Sequence, residues 1–564
     1  MCLILGGLMV LSIVFMLISA LKSYAAVADV KETDVGLKYG QSAVQTVTLF
    51  SSGGFEVELP GIYTVDTDAR TELVFSADGN EYKYNKDILV NPKKGNGSDD
   101  TGIGLNIVGG YHVAISEYRT GEVGSGNDNP VYIENGQSEQ GQSTYKFTKD
   151  NINEYIKQFR NIVEANNGTL HLSIAVFPAY INGGYYIMAG SCETLSEADD
   201  IKSTLELVFT MDASVFAPDP DVITVHDAKN EILFETDRCK DLVIKPEGTA
   251  LTYEGAEYNG RFILTRSNAY GDALSVINRI ATDDLVRACL SVEYPENTDP
   301  ELLKALSVIY RTKLNLSSGV HSADGFDVCT DHHCMRYIGC GKVVKGGSID
   351  LAVQATAGEI ITHSGKPIHA QISNSCGNST VSSKDAFGFE CAYLVSSVKD
   401  GLDSEKVFNE WTRQYSASEL SSILKMNSYD EIRGSIKTVA VNARSENSLY
   451  VTSLTFTDIF GNEATVTGSE KIRSLFGGDL PSASFAVSKA GKPVQIVYTD
   501  NEGVVCTIDK TLTGTPGYFI FAGEGDGSGT GFDLSAAVKL ISAGKNYKEL
   551  IAAYYPGVEI KNAK

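Results

Sequence analysis

Two groups of residues have the types and spacing for chemistry. The first is a single carboxylate, Glu293, in Val292-Glu293-Tyr294-Pro295. It stands between two helix signals. Thr282-Asp283-Asp284 offers an N-cap with acidic first-turn residues ahead of LVRACLSV. Asp299-Pro300-Glu301 offers a second cap, with Pro in the first turn, ahead of LLKALSVIYRTKL. Glu293 therefore falls at the C-terminal end of a short helix, where carbonyl dipoles disfavour negative charge. Leu290, Val292, Tyr294 and Pro295 around it are apolar, and lost hydration acts in the same direction. Both effects raise the pKa of a carboxyl group so placed, which is what a general acid working near neutrality needs. The same position also fits the commoner case, a solvated Glu near a helix terminus.

The second group is a bunching of Cys and His. His321, Cys329, His333 and Cys334 supply two imidazoles and two thiolates, the donor set of a tetrahedral Zn²⁺ site. His332 competes with His333 for one position, and a Cys329–Cys334 disulfide with surface His residues is the alternative. A closed four-ligand site would be structural and would pin the loop near Glu293; a catalytic zinc would need an open position. The other Cys are sparse and irregular, unlike a small disulfide scaffold. Cys376 could pair with Cys391 or stay an inert buried thiol.

These groups need a body to hold them. The chain has 564 residues, 43% hydrophobic and 21% charged, an ordinary globular balance that excludes a disordered or fibrous chain. Its length predicts about two to four domains. A net charge of −24 argues against binding nucleic acid, because there is no basic surface to release counterions from phosphates. Cys2 to Leu21 carry no charge and are long enough to cross a bilayer. Ala26-Val27-Ala28 offers a cleavage site, but the positive n-region of a signal peptide is missing. A buried soluble helix is the third reading; the favoured one is a membrane anchor with the rest of the chain outside the cell membrane.

The remainder reads as α+β: a mostly β-strand body, a helical segment around Glu293, and a small α+β insert. VTLF (47–50) and FEVEL (55–59) flank Ser51-Ser52-Gly53-Gly54, a hairpin signature. Residues 88–145 are loop-rich. KDNINEYIKQFRNIVEA (149–165) places Ile152, Tyr155, Ile156, Phe159 and Ile162 on one helical stripe. With the strands and helix that follow it forms a helix–strand–strand–helix–strand block over about 150–225. Residues 350–375 read as strands, 402–426 as helix carrying Trp411, and 436–522 as strands again. Two short helices close the chain, stopped by Gly544 and by Pro556-Gly557. The Gly-rich run Gly523–Gly531 contains no dinucleotide-binding G-x-G-x-x-G and reads as a flexible loop.

LVRACLSVEYPENTDPELLKALSVIYRTKL (285–314) resembles the signature of the SpoIID (stage II sporulation protein D, SpoIID/LytB) family. That signature is a helix ending in a Glu-Met-Pro-like corner, then a helix with an A-L-K-A-Q-A-V-A-A-R-T run. Glu293-Tyr294-Pro295 stands at the corner; Lys304 and Arg311-Thr312 keep the spacing, and Leu306 replaces the family Gln. FDVCTDHHCMRYIG (326–339) and AVQATAGEIITHSGKPIHAQISNSCGNST (352–380) resemble further family motifs, the second with Cys376 in place of a Gly. Segments at 35–57, 257–265 and 543–560 extend the resemblance. It implies a peptidoglycan lytic transglycosylase with Glu293 as the one acid/base. It further implies Lys304 and Arg311 positioning substrate or tuning Glu293, Ser373, Ser375 and Thr380 in the substrate cleft, and a probable structural zinc on His321, Cys329, His333 and Cys334. GGYYIMAGSCETLSEADDIKSTL (183–205) resembles a SPOR domain, which implies stacking of glycan on Tyr185 and Tyr186; plain core packing is the other reading of these tyrosines.

The expected organisation is an anchor or signal segment at 1–28, an N-terminal β-rich part at 29–145, a SPOR-like insert at 146–228 and a SpoIID-like catalytic domain at 229–564. Expected partners are peptidoglycan glycan strands, the membrane through the N-terminal segment, and a wall amidase. The expected place is the extracytoplasmic side of the cell membrane, or the cell wall after secretion. The alternative to an enzyme is a non-catalytic glycan-binding protein or amidase activator on the same fold.

Overall fold

In the computed structural model the chain is described over residues 31–563, apart from 45, 60, 67–70, 78–110, 116, 121–142, 171–173, 193, 210–212, 218–221, 228–230, 238–241, 249, 268–272, 331–333, 399–401 and 403–404. The apolar N-terminal segment, most of the loop-rich stretch 88–145, and His332 and His333 lie outside the described residues. Helices and many strands alternate, as expected for α+β. No helix among the described residues is long and apolar enough to cross a membrane.

The described residues form two compact units. The first takes the chain up to Val292 and resumes with Ser317–Lys342; the second comprises Glu293–Leu316 and Val343–Lys564. Each unit thus contains a segment interrupted by the other.

The first unit is built on a seven-stranded and a ten-stranded sheet. The predicted hairpin at 47–59 does not form. Thr46–Ser51 and Phe55–Leu59 are both strands, but the first pairs with Thr71–Ala77 and Leu251–Tyr253, the second with Leu242–Pro246 and Tyr63–Asp66. They lie in different sheets. The turn passes hard against another strand, since a Cβ on Gly53 would sit 1.8 Å from the Glu247 carbonyl oxygen. Glycine here permits a crossing between sheets rather than a reversal within one.

One end of the ten-stranded sheet is a self-similar motif. Tyr111–Ile115, helix α1 (Ile152–Leu170), Val176–Ile181, Gly184–Cys192, helix α2 (Leu195–Phe209) and Ala213–Phe216 follow in β-α-β-β-α-β order. The strands lie in the order fourth, first, third, second, all antiparallel, which is the split βαβ arrangement. Ile152, Tyr155, Ile156 and Phe159 of α1 are buried, as its periodicity requires. The motif opens with Tyr111–Ile115, ahead of the helix that opens the block in the sequence. It is also continuous with the body: Val176–Ile181 pairs in parallel with Ile232–Thr236. Across this junction the buried His112 Nε2 lies 2.9 Å from Glu235 Oε1.

Helix α3 (Thr282–Glu293) ends the first long segment of this unit, and α4 (Pro300–Ser317) opens the second unit. Asp299 caps α4, its Oδ1 accepting the Glu301 N–H at 2.8 Å. In the second unit the stretch read as strands begins instead with α5 (Ser348–Ala355). Its buried residues Ile349, Ala352 and Val353 repeat at helical spacing, a short period that β-branched residues disguise. The stretch read as one helix over 402–426 divides. Trp411–Tyr415 is a strand beside Phe519–Gly523, and the helix Ala417–Met426 starts only after the Ser416/Glu419 capping box.

The Gly-rich run is not a flexible loop. Ser375 and Asp526 exchange backbone hydrogen bonds of 3.1 and 2.7 Å, and the Gly529 N–H donates to Ser373 Oγ at 3.0 Å. A Cβ on Gly523 would meet Trp411 at 2.1 Å, on Gly529 Tyr450 at 2.1 Å, and on Gly531 the Gln371 carbonyl at 2.3 Å. The glycines let a backbone strap lie directly on the core. Gly529→Ala is therefore expected to cost about 3 kcal/mol or more in urea unfolding, through overpacking and an unfavourable φ of +78°. Gly461→Ala has a similar φ of +88° but open space around it, and should cost only about 1 kcal/mol.

Candidate active site

Glu293 is the last residue of α3 and the first residue of the second unit. Its side chain is exposed, which corrects the expectation of a poorly hydrated corner. The apolar cover falls instead on two tyrosines. Tyr310, on α4, is 5% exposed and its hydroxyl donates to Glu293 Oε2 in a short hydrogen bond. Tyr294 is half-buried and hydrogen-bonded to Tyr310. Burial, followed by the charge of Glu293, pushes the Tyr294 phenol up to about 12. Burial first, then Tyr294 and Glu293, hold the Tyr310 phenol well above its ordinary value. Both hydroxyls therefore keep their protons at any working pH, and that of Tyr310 is the donor to Glu293.

The rest of α4 is devoted to holding its own place. Arg311 is 4% exposed and donates to three backbone carbonyls, Glu359 at 3.0 Å and Ser307 and Val353 at 3.5 Å. Thr312 Oγ1 accepts the Ile361 N–H at 2.8 Å. Together they stitch α4 to α5 and to the strand Glu359–His363. Arg311 is thus a buried cation bonded to the backbone of its own unit. Lys304 is half-buried and paired with Glu301 Oε1 at 2.6 Å, while Glu301 Oε2 accepts the Tyr547 N–H at 2.8 Å. Burial alone would raise the Glu301 pKa, but Lys304 and the Tyr547 N–H outweigh it and hold the carboxyl below its usual value.

Ser373, Ser375 and Thr380 are brought together on one segment, where each hydroxyl is engaged by the chain itself, that of Thr380 in an exposed hydrogen bond. Ser373 is 2% exposed and receives the Gly529 N–H; Ser375 Oγ receives the Gly377 N–H at 3.1 Å; Thr380 Oγ1 donates to the Val395 carbonyl at 3.1 Å. Cys376 is buried between them, and burial raises its thiol pKa strongly; it and Cys391 stand as separate thiols. This segment frames the strap of glycines described above.

The Cys/His group lies in the first unit. His321, Cys329 and Cys334 bring their ligand atoms within 4.8 Å of one another, and His333 lies outside the described residues. Cys334 Sγ is 3.4 Å from His321 Nε2, and the His321 ring stacks on Phe326 at 4.9 Å. Cys329 is wholly buried, and both cysteines are thiols. Two sulfurs and one imidazole in this proximity fit a thiolate-loving divalent ion.

Tyr185 and Tyr186 point to opposite faces of their strand. The Tyr185 hydroxyl donates to the Ile62 carbonyl at 2.6 Å and its ring meets Tyr180 edge-on at 4.9 Å. Tyr186 packs on the cluster of Phe177, Met188 and Phe216. Sequence reasoning passed over Tyr310, the residue in direct contact with Glu293. The available signal was its distance of 17 residues from Glu293, on a helix whose caps were already visible.

Arg311→Ala should cost about 3 kcal/mol in urea unfolding, because three carbonyls lose a charged donor. Glycan retained by the folded fraction in a pull-down should match wild type, as it would not if Arg311 bound substrate.

Comparison with known proteins adds two findings. Residues 270–363 match the family SpoIID, stage II sporulation protein. That segment contains α3, α4, Glu293 and the Cys/His group, and the family is one of sporulation-related cell-wall proteins associated with peptidoglycan degradation. The chain is also similar to an uncharacterized protein of Brachyspira hyodysenteriae (strain ATCC 49526 / WA1), 25% identical over 321 residues, covering 57% of this chain and 77% of that protein.

Proposed function

We propose that this protein is a lytic transglycosylase that cleaves the MurNAc–GlcNAc bond of stem-peptide-free glycan strands and leaves 1,6-anhydroMurNAc ends, in engulfment during sporulation. The observation that carries the reading is Glu293: an exposed carboxylate at a helix end, with one oxygen held by Tyr310, inside the segment that matches SpoIID. Glu293 protonates the glycosidic oxygen as that bond to C1 breaks. It then takes the proton of the substrate's C6 hydroxyl as that oxygen closes on C1. The nucleophile belongs to the substrate, so effective molarity replaces the second carboxylate of a hydrolytic glycosidase. Exposure suits this task, because a bulky glycan has to reach the carboxyl group.

The cysteine–histidine group adds a structural Zn²⁺ in this reading, held by His321, Cys329 and Cys334 with His333 as the fourth ligand. The split βαβ motif serves as the SPOR-like glycan-binding part, and the N-terminal segment places the protein at the extracytoplasmic face of the membrane, where a wall amidase is a fitting partner. A second reading, a glycan-binding or amidase-activating protein without catalysis, is favoured by Leu306, which replaces the Gln of the family run.

Digestion of denuded glycan strands, read by mass spectrometry, separates the two. Wild type should release anhydro-ended sugars, and Glu293→Ala should release none while keeping its melting temperature. Equal yields from both would remove Glu293 from the mechanism. Protein purified without chelator should carry close to one zinc per chain; less than about half would leave the four-ligand site without support.

A further inference from the structure

The one-carboxylate mechanism makes an unusual demand on its acid/base. The same carboxyl group acts twice, on two substrate oxygens, and must not turn away between the two steps. Glu293 is exposed at the end of a helix, where a side chain of this length has free rotamers. Tyr310 removes that freedom. Its hydroxyl donates to Oε2, its ring is anchored in the buried face of α4, and its own position is backed by the hydrogen bond with Tyr294. Lys313 Nζ lies 5.8 Å from the Tyr310 ring centroid and is the one cation recorded over it among the described residues. No other hydrogen bond to the Glu293 side chain is recorded among the described residues, and the residue is exposed.

Resting on the transglycosylase reading, we propose that Tyr310, braced by Tyr294, is a positioning residue that fixes Oε2 of Glu293 so that Oε1 alone exchanges the proton with the glycan. A phenol suits the role better than a cation would. It orients the carboxylate without adding a charge that would hold it ionised, and it does not itself titrate in the working range. The family run quoted above has Ala where this chain has Tyr310, and its corner has Met where this chain has Tyr294. The tyrosine pair is therefore a device of this chain, not something the signature carries with it.

The test uses the full-length protein with Tyr310→Phe, Tyr294→Phe and Glu293→Gln. Losing one hydrogen bond to a charged group corresponds to roughly a 10- to 100-fold effect. Tyr310→Phe should lose kcat by about that factor, with KM within about twofold and an altered pH–rate profile. Tyr294→Phe should move in the same direction by less. An unchanged kcat and profile in Tyr310→Phe, or a loss confined to KM, would overturn the proposal. A second readout needs no turnover: the infrared carboxylate band assigned to Glu293 as wild type minus Glu293→Gln. It should shift in Tyr310→Phe; an unmoved band overturns the proposal. If wild type releases no anhydro ends, the functional reading falls, and the band still decides whether Tyr310 holds the carboxylate. Should Tyr310→Phe fail to fold, the kcat and band of Tyr294→Phe decide in its place.

Discussion

A buried guanidinium bonded to backbone carbonyls governs the position of everything in the second unit that bears on Glu293. Arg311 reaches Ser307 within its own helix, Val353 on α5 and Glu359 on the adjoining strand. A charged donor in a dry setting tolerates little sliding, because a buried guanidinium that leaves its carbonyls loses charge-assisted bonds it cannot replace with water. The rotation of α4 about its axis is fixed by this contact and by Thr312 against Ile361. Tyr310 precedes Arg311 by one residue, so the direction of its phenol is fixed by the same bonds. The direction of the Tyr310–Glu293 hydrogen bond is thus set by a polar clamp in the interior of the second unit.

Much of this was legible in the sequence, for definable reasons. Helix ends write themselves locally: Asp299 and Pro300 announced α4, and the stripe of α1 announced its buried face. The bunching of His321, Cys329 and Cys334 was visible because ligands close in sequence are also close in space. What failed depended on distant partners. Thr46–Ser51 and Phe55–Leu59 have every local sign of a hairpin, and only the neighbours in two separate sheets show otherwise. Trp411 was assigned to helix because the strand that pairs with it lies more than a hundred residues away.

The glycines and the tyrosines teach the same lesson from opposite sides. A glycine run looks mobile in isolation because glycine lacks a side chain to say what it touches; the information lies in Trp411, Tyr450 and Gln371, which touch it. Tyr310 was passed over because a tyrosine on an apolar helix stripe carries no local sign of anything but packing. Its ring is core, and only its hydroxyl reaches the exposed carboxylate of Glu293. The apolar neighbours of Glu293 in sequence suggested cover for its carboxyl group, and the side chain is exposed instead.

The chain's exchange between its two units bears on how the protein comes off the ribosome. The seven-stranded sheet holds Glu32–Lys38 between Leu274–Ala281 and Val328–Cys329, so its first-made strand waits more than two hundred residues for the earlier of its two neighbours. Meanwhile the newly made Pro300–Ser317 helix belongs to a unit whose remaining residues, Val343–Lys564, do not yet exist. Vectorial folding from the N-terminus, the usual course for domains strung in series, is closed to this topology. The first unit stays unfinished until Ser317–Lys342 has been made, and severing the chain between Ser317 and Lys342 leaves both units incomplete.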